Sequence, residues 1–550
     1  MIDWILSVAL EAQAVQASRS TASTWQVVQA ERQAAAAQDQ DDAESSSPRR
    51  SSVQSELGHD TTLALRSMPI RVGQRFVEVD IAPRVTLPSS WDHGGARDSQ
   101  RRAARSMVDV AAPSDDGEIG IASGYAAQSK TYKPGRTGAL VTPYTMLWNG
   151  QDLKFFELTL NSGPTTFTEK FLLYIPPLAG GGQKPLVNFF HKFGSTHWDV
   201  WNNTTFIQEC HAREWFLVSS LGATNKSMSS IESQLNREAV LDWLTAIFPM
   251  IDRERLYGVG FSMGGGSVLN FAARHLDPAR HMLAAVVNHS GGVDLNHTYF
   301  ADPPARFIMD FWYGDGSVGS ADPWRMARSS VLTADPITGV AQDDWSLARH
   351  LVNLPMRTIR ASDDPIAYLS DQNDNLHALM GQLGAVPQVL YGYYVLPYTG
   401  HSWDLLNASA TLDFLGSHTL TIPTSGQLLA DHDGAYYHFT IEQDQAGAFT
   451  PLDWSIDEVQ NKLVVTETAN LRRLIVDTPA AGLAPTQPLQ IELDTADGHP
   501  DEIVFRFWPQ APVAVQRDGQ DEPGWSYDPT TDELVVTEVD PGLHVWNIVP

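Results

Sequence analysis

A single cysteine, Cys210, in a chain of 550 residues excludes an intrachain disulfide and any cysteine-based zinc knuckle. It lies in the helix-like segment Phe206–Arg213 and reads as a small buried residue. Positive charge is also scarce: 37 Lys and Arg face 65 Asp and Glu, for a net charge of −28. Phosphates and anionic membrane surfaces are repelled by such a chain, so nucleic acid is excluded as the expected partner and neutral or cationic molecules are favoured. No apolar run approaches the ~20 residues that cross a bilayer, so no transmembrane segment is predicted. The short apolar start, Met1–Leu10, has Asp3 as its only charge, whereas a signal peptide opens on basic residues. No internal repeat is visible, which sets solenoids and propellers aside.

What is present is enough apolar material, 43% of the chain, for more than one core. Residues 1–118 hold little of it. Runs such as Ala34–Asp42 and Ser45–Ser52 are Gln-, Ala-, Ser- and Asp-rich, and predict a low-complexity, largely disordered region relieved by one strand over Pro69–Ile81. Over 136–418, strand and helix alternate. Leu153–Leu160 and Thr168–Ile175 predict a hairpin, and Pro185–Phe190, Trp215–Ser220, Ala284–Asn288, Pro355–Arg360 and Pro387–Tyr391 predict further strands. Helices are expected over Glu232–Phe248, Ser267–His275, Asp371–Leu383 and Trp403–Leu415. The fold class is therefore α/β, a mostly parallel sheet with helices on both faces. Residues 295–350 break the rhythm with an irregular, aromatic stretch suited to a cap over a pocket. From 420 to 550 short strands between turn signals predict a separate, sandwich-like all-β domain.

The sharpest local signal is Gly260-Phe-Ser-Met-Gly264, between the strand running in from Arg255 and a helix. A serine on so tight a strand-to-helix turn has its hydroxyl outward, and side chains at 260 or 264 would collide with neighbouring elements. Ser262 is thus a candidate nucleophile. Such a hydroxyl needs an imidazole to take its proton and a carboxylate to orient that imidazole. Both follow in the chain: Asp364, with Asp363 in reserve, after one strand, and His401 in Gly400-His-Ser-Trp403 after the next. His191 and His197 precede the serine and are set aside. For a developing oxyanion the expected N–H donors are Met263 and either Lys192 or Phe193, from the turn His191–Gly194. Trp198, Trp201, Trp312, Tyr313 and Trp403 are candidate pocket walls.

Together the Pro185 strand with its His-Lys-Phe-Gly turn, the Ile251-Asp-Arg-Glu-Arg-Leu-Tyr approach to Gly-Phe-Ser-Met-Gly-Gly, the Ser-Asp-Asp-Pro turn and the Gly-His-Ser-Trp loop resemble the α/β-hydrolase superfamily. Within it, residues 150–418 are similar to polyhydroxybutyrate depolymerases, feruloyl esterases and prolyl-oligopeptidase-like hydrolases. The usual His-Gly of the oxyanion turn is here His191 followed by Lys192. The resemblance implies a serine esterase working through an acyl-enzyme, without cofactor or metal, on a neutral ester, small or polymeric, in a secreted or periplasmic setting; no protein partner is inferred. The alternatives are a peptidase with the same triad and an inactive polymer- or glycan-binding protein on the same fold.

Overall fold

The computed structural model describes residues 68–72, 75–79, 130–132, 138–148, 151–161, 168–177, 182–333, 346–385, 390–495 and 501–550. The low-complexity region expected over 1–118 lies outside them apart from one hairpin, Met68–Val72 (β1) against Arg75–Val79 (β2). The stretch read as a single strand is two, Gly73 and Gln74 separating the antiparallel pair. This hairpin belongs to a unit spanning 1–84, and all that follows belongs to a second unit, 85–550.

The second unit is built on a ten-stranded sheet. Its strands are Lys130–Tyr132 (β3), Gly138–Trp148 (β4), Gln151–Asn161 (β5), Thr168–Tyr174 (β6), Lys184–Phe190 (β7), Phe216–Ser220 (β8), Ile251–Phe261 (β9), Ala285–His289 (β10), Met356–Asp363 (β11) and Tyr391–Thr399 (β12). Their spatial order is β12-β11-β10-β9-β7-β8-β6-β5-β4-β3, with β7 to β12 parallel and β3 to β6 an antiparallel extension. After β7 the chain steps outward to β8, and then returns across β7 to β9 and proceeds the other way. The loops following β7 and β9 therefore diverge, and a crevice opens at the carboxyl ends of these two strands.

Both sheet faces are covered, as the unbroken apolar strands require. Leu186 and Phe190 of β7 join Phe216, Val218, Leu256 and Val286 in one core, while Val187 and Phe189 join Leu217, Tyr257, Val259 and Val287 in another. The first core is closed by helices Ile231–Ile247 and Met263–Arg274, the second by short helices within Asp199–Arg213 and by Ala408–Gly416. Among the described residues no helix is long and apolar enough to cross a membrane.

Several element bounds differ from the sequence reading. The helix after Ser262 begins at Met263 rather than Ser267. The helix expected at Asp371 begins at Ala367, and the last strand is Tyr391–Thr399, its expected start lying outside the described residues. Trp403–Leu405 is a 3₁₀ turn that precedes the final helix. Among the described residues, the stretch 295–350, expected to be irregular, holds three α-helices: Leu295–Ala301, Pro303–Tyr313 and Pro323–Arg328. Its Asp and Pro residues are start signals. Asp294, Asp302 and Asp322 each accept a backbone N–H of the helix they precede, and proline stands in the first turn of the last two.

Residues 425–549 form two further sheets of seven and six strands around their own core, which includes Trp454, Trp508 and Trp546. These sheets include Ser425–Ala430, Thr450–Asp457 and Gly542–Val549, and Gly434–Tyr436 pairs antiparallel with Phe439–Gln443. Buried polar groups join this β region to the α/β layer. Asp431 Oδ2 accepts Arg274 Nη2 at 2.5 Å and Arg328 Nε at 2.8 Å, and His350 Nε2 accepts the Leu429 N–H at 2.7 Å.

Candidate active site

Strand β9 delivers Ser262 into the crevice at φ 57° and ψ −123°, a conformation costing about 1–3 kcal/mol that persists only where its surroundings impose it. They do so through the backbone. The Ser262 N–H donates to the His289 carbonyl at 2.9 Å, and the Ser262 carbonyl accepts Gly265 N–H at 2.9 Å and Gly292 N–H at 3.1 Å. A Cβ on Gly260 would stand 2.0 Å from the Gly264 carbonyl oxygen, and one on Gly264 would stand 2.1 Å from that of Phe190. Both glycines of the pentapeptide are therefore steric requirements.

His401 follows β12, and its Nδ1 lies 2.8 Å from Asp364 Oδ2. Of the two adjacent aspartates it is Asp364 that turns inward, its Oδ1 held by the Ile366 N–H at 2.9 Å; Asp363 is exposed at the end of β11. Burial alone would raise the Asp364 pKa, but the hydrogen bond and charge of His401, helped by the Ile366 N–H, hold it below the ordinary carboxylate value. Accepting from Nδ1 leaves the lone pair of the neutral ring on Nε2. That atom is buried and has no hydrogen-bond partner among the described residues. The ring packs on Phe261, the residue before Ser262, with centroids 4.5 Å apart.

Sequence reasoning missed His289. It stacks on the same Phe261 ring at 4.5 Å, and its Nε2 donates to the carbonyl of Ser402, next to His401, at 2.8 Å. Burial lowers its pKa to about 4, so the ring is neutral and serves as a fixed strut under the His401 loop. Its position at the end of a parallel strand was the available signal.

Of the expected oxyanion donors, Met263 opens the helix and its N–H has no partner among the described residues. The Lys192 N–H is engaged by Asp199 Oδ2 at 3.2 Å, whereas Phe193 lines the cavity beside Ser262. His191 fixes this turn from within, its ring nitrogens 2.9 Å from the Lys192 carbonyl and 2.8 Å from that of Leu221; burial, then the Arg237 charge, lowers its pKa to about 4. His197 is tied to Glu157 Oε1 at 2.7 Å.

The cavity has a volume of about 120 Å³ and is walled by Met228, Ser229, Met263, Leu295, Ala305, Tyr368 and Leu369, among others. None of the five expected aromatics is in its lining. Trp403 is buried, with its Nε1 on Asp199 Oδ2 at 2.9 Å, and Trp198 donates to Glu157 Oε1 at 3.3 Å. Trp201 packs beside them on the sheet. Trp312 donates to the Lys226 carbonyl at 2.9 Å and Tyr313 to that of Met228, so these two brace the wall from behind.

Parallel strands in this order, with a serine elbow after β9 and an Asp–His contact from the ends of β11 and β12, leave one description. The chain has the α/β-hydrolase fold. No known family profile matches the sequence, and a search of curated proteins returns no match. Solved structures similar to it include a ferulic acid esterase at 16% identity, covering 50% of this chain and 96% of its own, with a TM-score of 0.33. An S-formylglutathione hydrolase from Agrobacterium tumefaciens matches at 12% identity over 52% of this chain and 98% of its own, with a TM-score of 0.32. A fluorophosphonate-binding serine hydrolase of Staphylococcus aureus matches at 15% over 48% and 98%, with a TM-score of 0.34.

Proposed function

We propose that the protein is a serine hydrolase that cleaves carboxylic esters through an acyl-enzyme. The observation that carries this reading is the half-buried imidazole of His401, oriented by Asp364 at 2.8 Å, whose buried Nε2 has no protein partner of its own among the described residues and whose ring packs on Phe261, next to Ser262. In the proposed cycle Ser262 Oγ attacks the ester carbonyl while His401 Nε2 takes its proton. The carbonyl oxygen becomes an oxyanion, met by the N–H groups of Met263 and Phe193. Collapse expels the alcohol, which receives the proton from His401, and leaves the acyl group on Ser262. Water, deprotonated by the same imidazole, then attacks the acyl carbonyl and releases the acid. Asp364 stays ionised throughout and stabilises the imidazolium.

A fluorophosphonate probe tests the reading directly. It is expected to label the wild-type chain at Ser262 and to leave Ser262→Ala unlabelled, with p-nitrophenyl ester hydrolysis lost in step. A wild type that neither takes the label nor hydrolyses short esters overturns the proposal.

A further inference from the structure

The walls of the cavity beside Ser262 are mostly apolar: Met228, Leu295, Ala305 and Leu369 are buried carbon surface. Apart from that of Ser262, its hydroxyl groups are committed elsewhere. Ser267 donates to the Met263 carbonyl at 2.8 Å, so the Ser229–Ser267 contact at 2.8 Å spends the Ser229 hydrogen on Ser267. Thr298 donates to the Asp294 carbonyl at 2.8 Å and accepts from Gln372. Tyr368 donates to Asp302 Oδ2 at 2.9 Å.

What remains for a guest is a carboxylate. Asp302 accepts the Tyr368 hydroxyl and the Ala305 N–H at 3.1 Å, and among the described residues no Lys, Arg or His forms an ion pair with it. Two donors on a carboxylate with about four acceptor sites leave capacity for more. This wall therefore presents acceptors, the Asp302 carboxylate among them, with no cationic side chain paired to it among the described residues.

We propose that the cavity selects a short ester arm that ends in a hydrogen-bond donor such as an ammonium or hydroxyl. An arm ending in a carboxylate meets Asp302 as a like charge and is rejected. This specificity rests on the serine hydrolase reading of the same site and adds to it the chemistry of the group that Asp302 recognises.

The test is a set of aryl esters with a constant leaving group and acyl arms that end in methyl, ammonium or carboxylate: butyryl, 3-aminopropanoyl and succinyl. A matching set of acetates varies the alcohol arm. In one of the two sets kcat/KM is expected to favour the ammonium-ended over the carboxylate-ended ester by at least about a hundredfold, mainly through KM. Asp302→Asn retains an N-cap oxygen for Ala305 and is expected to shrink that ratio by about tenfold or more. Tyr368→Phe, which removes one competing donor from the carboxylate, is expected to preserve the preference. Ester hydrolysis with no discrimination among end groups in either set, or a ratio untouched by Asp302→Asn in a chain that melts normally, overturns the inference alone. Absence of both fluorophosphonate labelling and hydrolysis overturns the parent reading, and this one with it.

Discussion

At the residue scale the site depends on imidazoles in unlike states of use. His401 leaves Nε2 without a partner among the described residues, while His289 and His191 are buried braces whose low pKa values keep them neutral through the physiological range. His289→Ala removes the donor to the Ser402 carbonyl, a buried bond whose loss costs about 1–3 kcal/mol. Felt as misplacement of His401, that is a fall in kcat of about tenfold to a hundredfold, with KM changed little and fluorophosphonate labelling slowed in proportion; stopped-flow labelling measures it. Cys210 is fully buried and its thiol pKa is pushed up by burial, so a thiol reagent is expected to modify it only at the rate of unfolding. An immediate, stoichiometric reaction in native buffer would contradict the burial. That Ser262, Asp364 and His401 each follow a strand was legible in sequence. The pocket aromatics were not. Trp and Tyr bury large areas wherever they stand, and these five serve the sheet and the packing of helices 295–328.

Elements were read well where they are buried on both faces and poorly where they are not. Strands β7, β8 and β10 are short buried runs whose expected bounds lie within one residue of the observed ones, whereas β9 begins at Ile251, four residues before the expected Arg255, because the charged Asp252–Arg255 carries no apolar signal. Strand β12 lies at the sheet edge and carries Gly392 and Pro397, residues that argue against a central strand but are tolerated at an edge. The start of the Met263–Arg274 helix was hidden by Gly264, Gly265 and Gly266, which look like a loop. Each is instead forced by contact: added Cβ atoms would stand 2.1 Å from the Phe190 carbonyl oxygen, 2.4 Å from Asn288 Oδ1 and 1.8 Å from the Gly292 carbonyl oxygen. Gly264→Ala is therefore expected to destabilise by about 3 kcal/mol or more and to abolish labelling of Ser262. Gly381, in the last turn of helix Ala367–Gln382, has nothing within 4 Å of the point where a methyl group would stand, and Gly381→Ala is expected to stabilise by about 0.5–1 kcal/mol. Thermal melts of the two variants check both signs.

Across the whole molecule the α/β layer and the β region meet over Asp431, a fully buried carboxylate that bridges Arg274 and Arg328 and also accepts from His432. Burial opposes its ionisation, but the two guanidiniums and His432 win and hold its pKa well below the usual carboxylate value. A depressed folded pKa contributes stability that is present above the unfolded value of about 3.9 and is lost as pH falls through the folded one. Unfolding free energy is therefore expected to decline below about pH 4, and Asp431→Asn to flatten that acid limb. At neutral pH the same variant is expected to cost about 3–5 kcal/mol, since it leaves buried arginines short of a charge; denaturant titration at several pH values measures both effects. The sequence showed an all-β segment after 420 through its short alternating strands. It held no sign of this junction, because the partners are 157 and 103 residues apart.

Arg274 is the last residue of the helix that begins beside Ser262, so the far end of that helix is anchored in the β region. Cutting the chain near residue 420 would strip two guanidiniums of their counter-ion and unmoor the rod on which the nucleophile is mounted. Activity lost on truncation would then report mechanical support withdrawn from the reacting hydroxyl, and any role of the β strands in gripping substrate has to be sought with surface substitutions that leave this mooring intact.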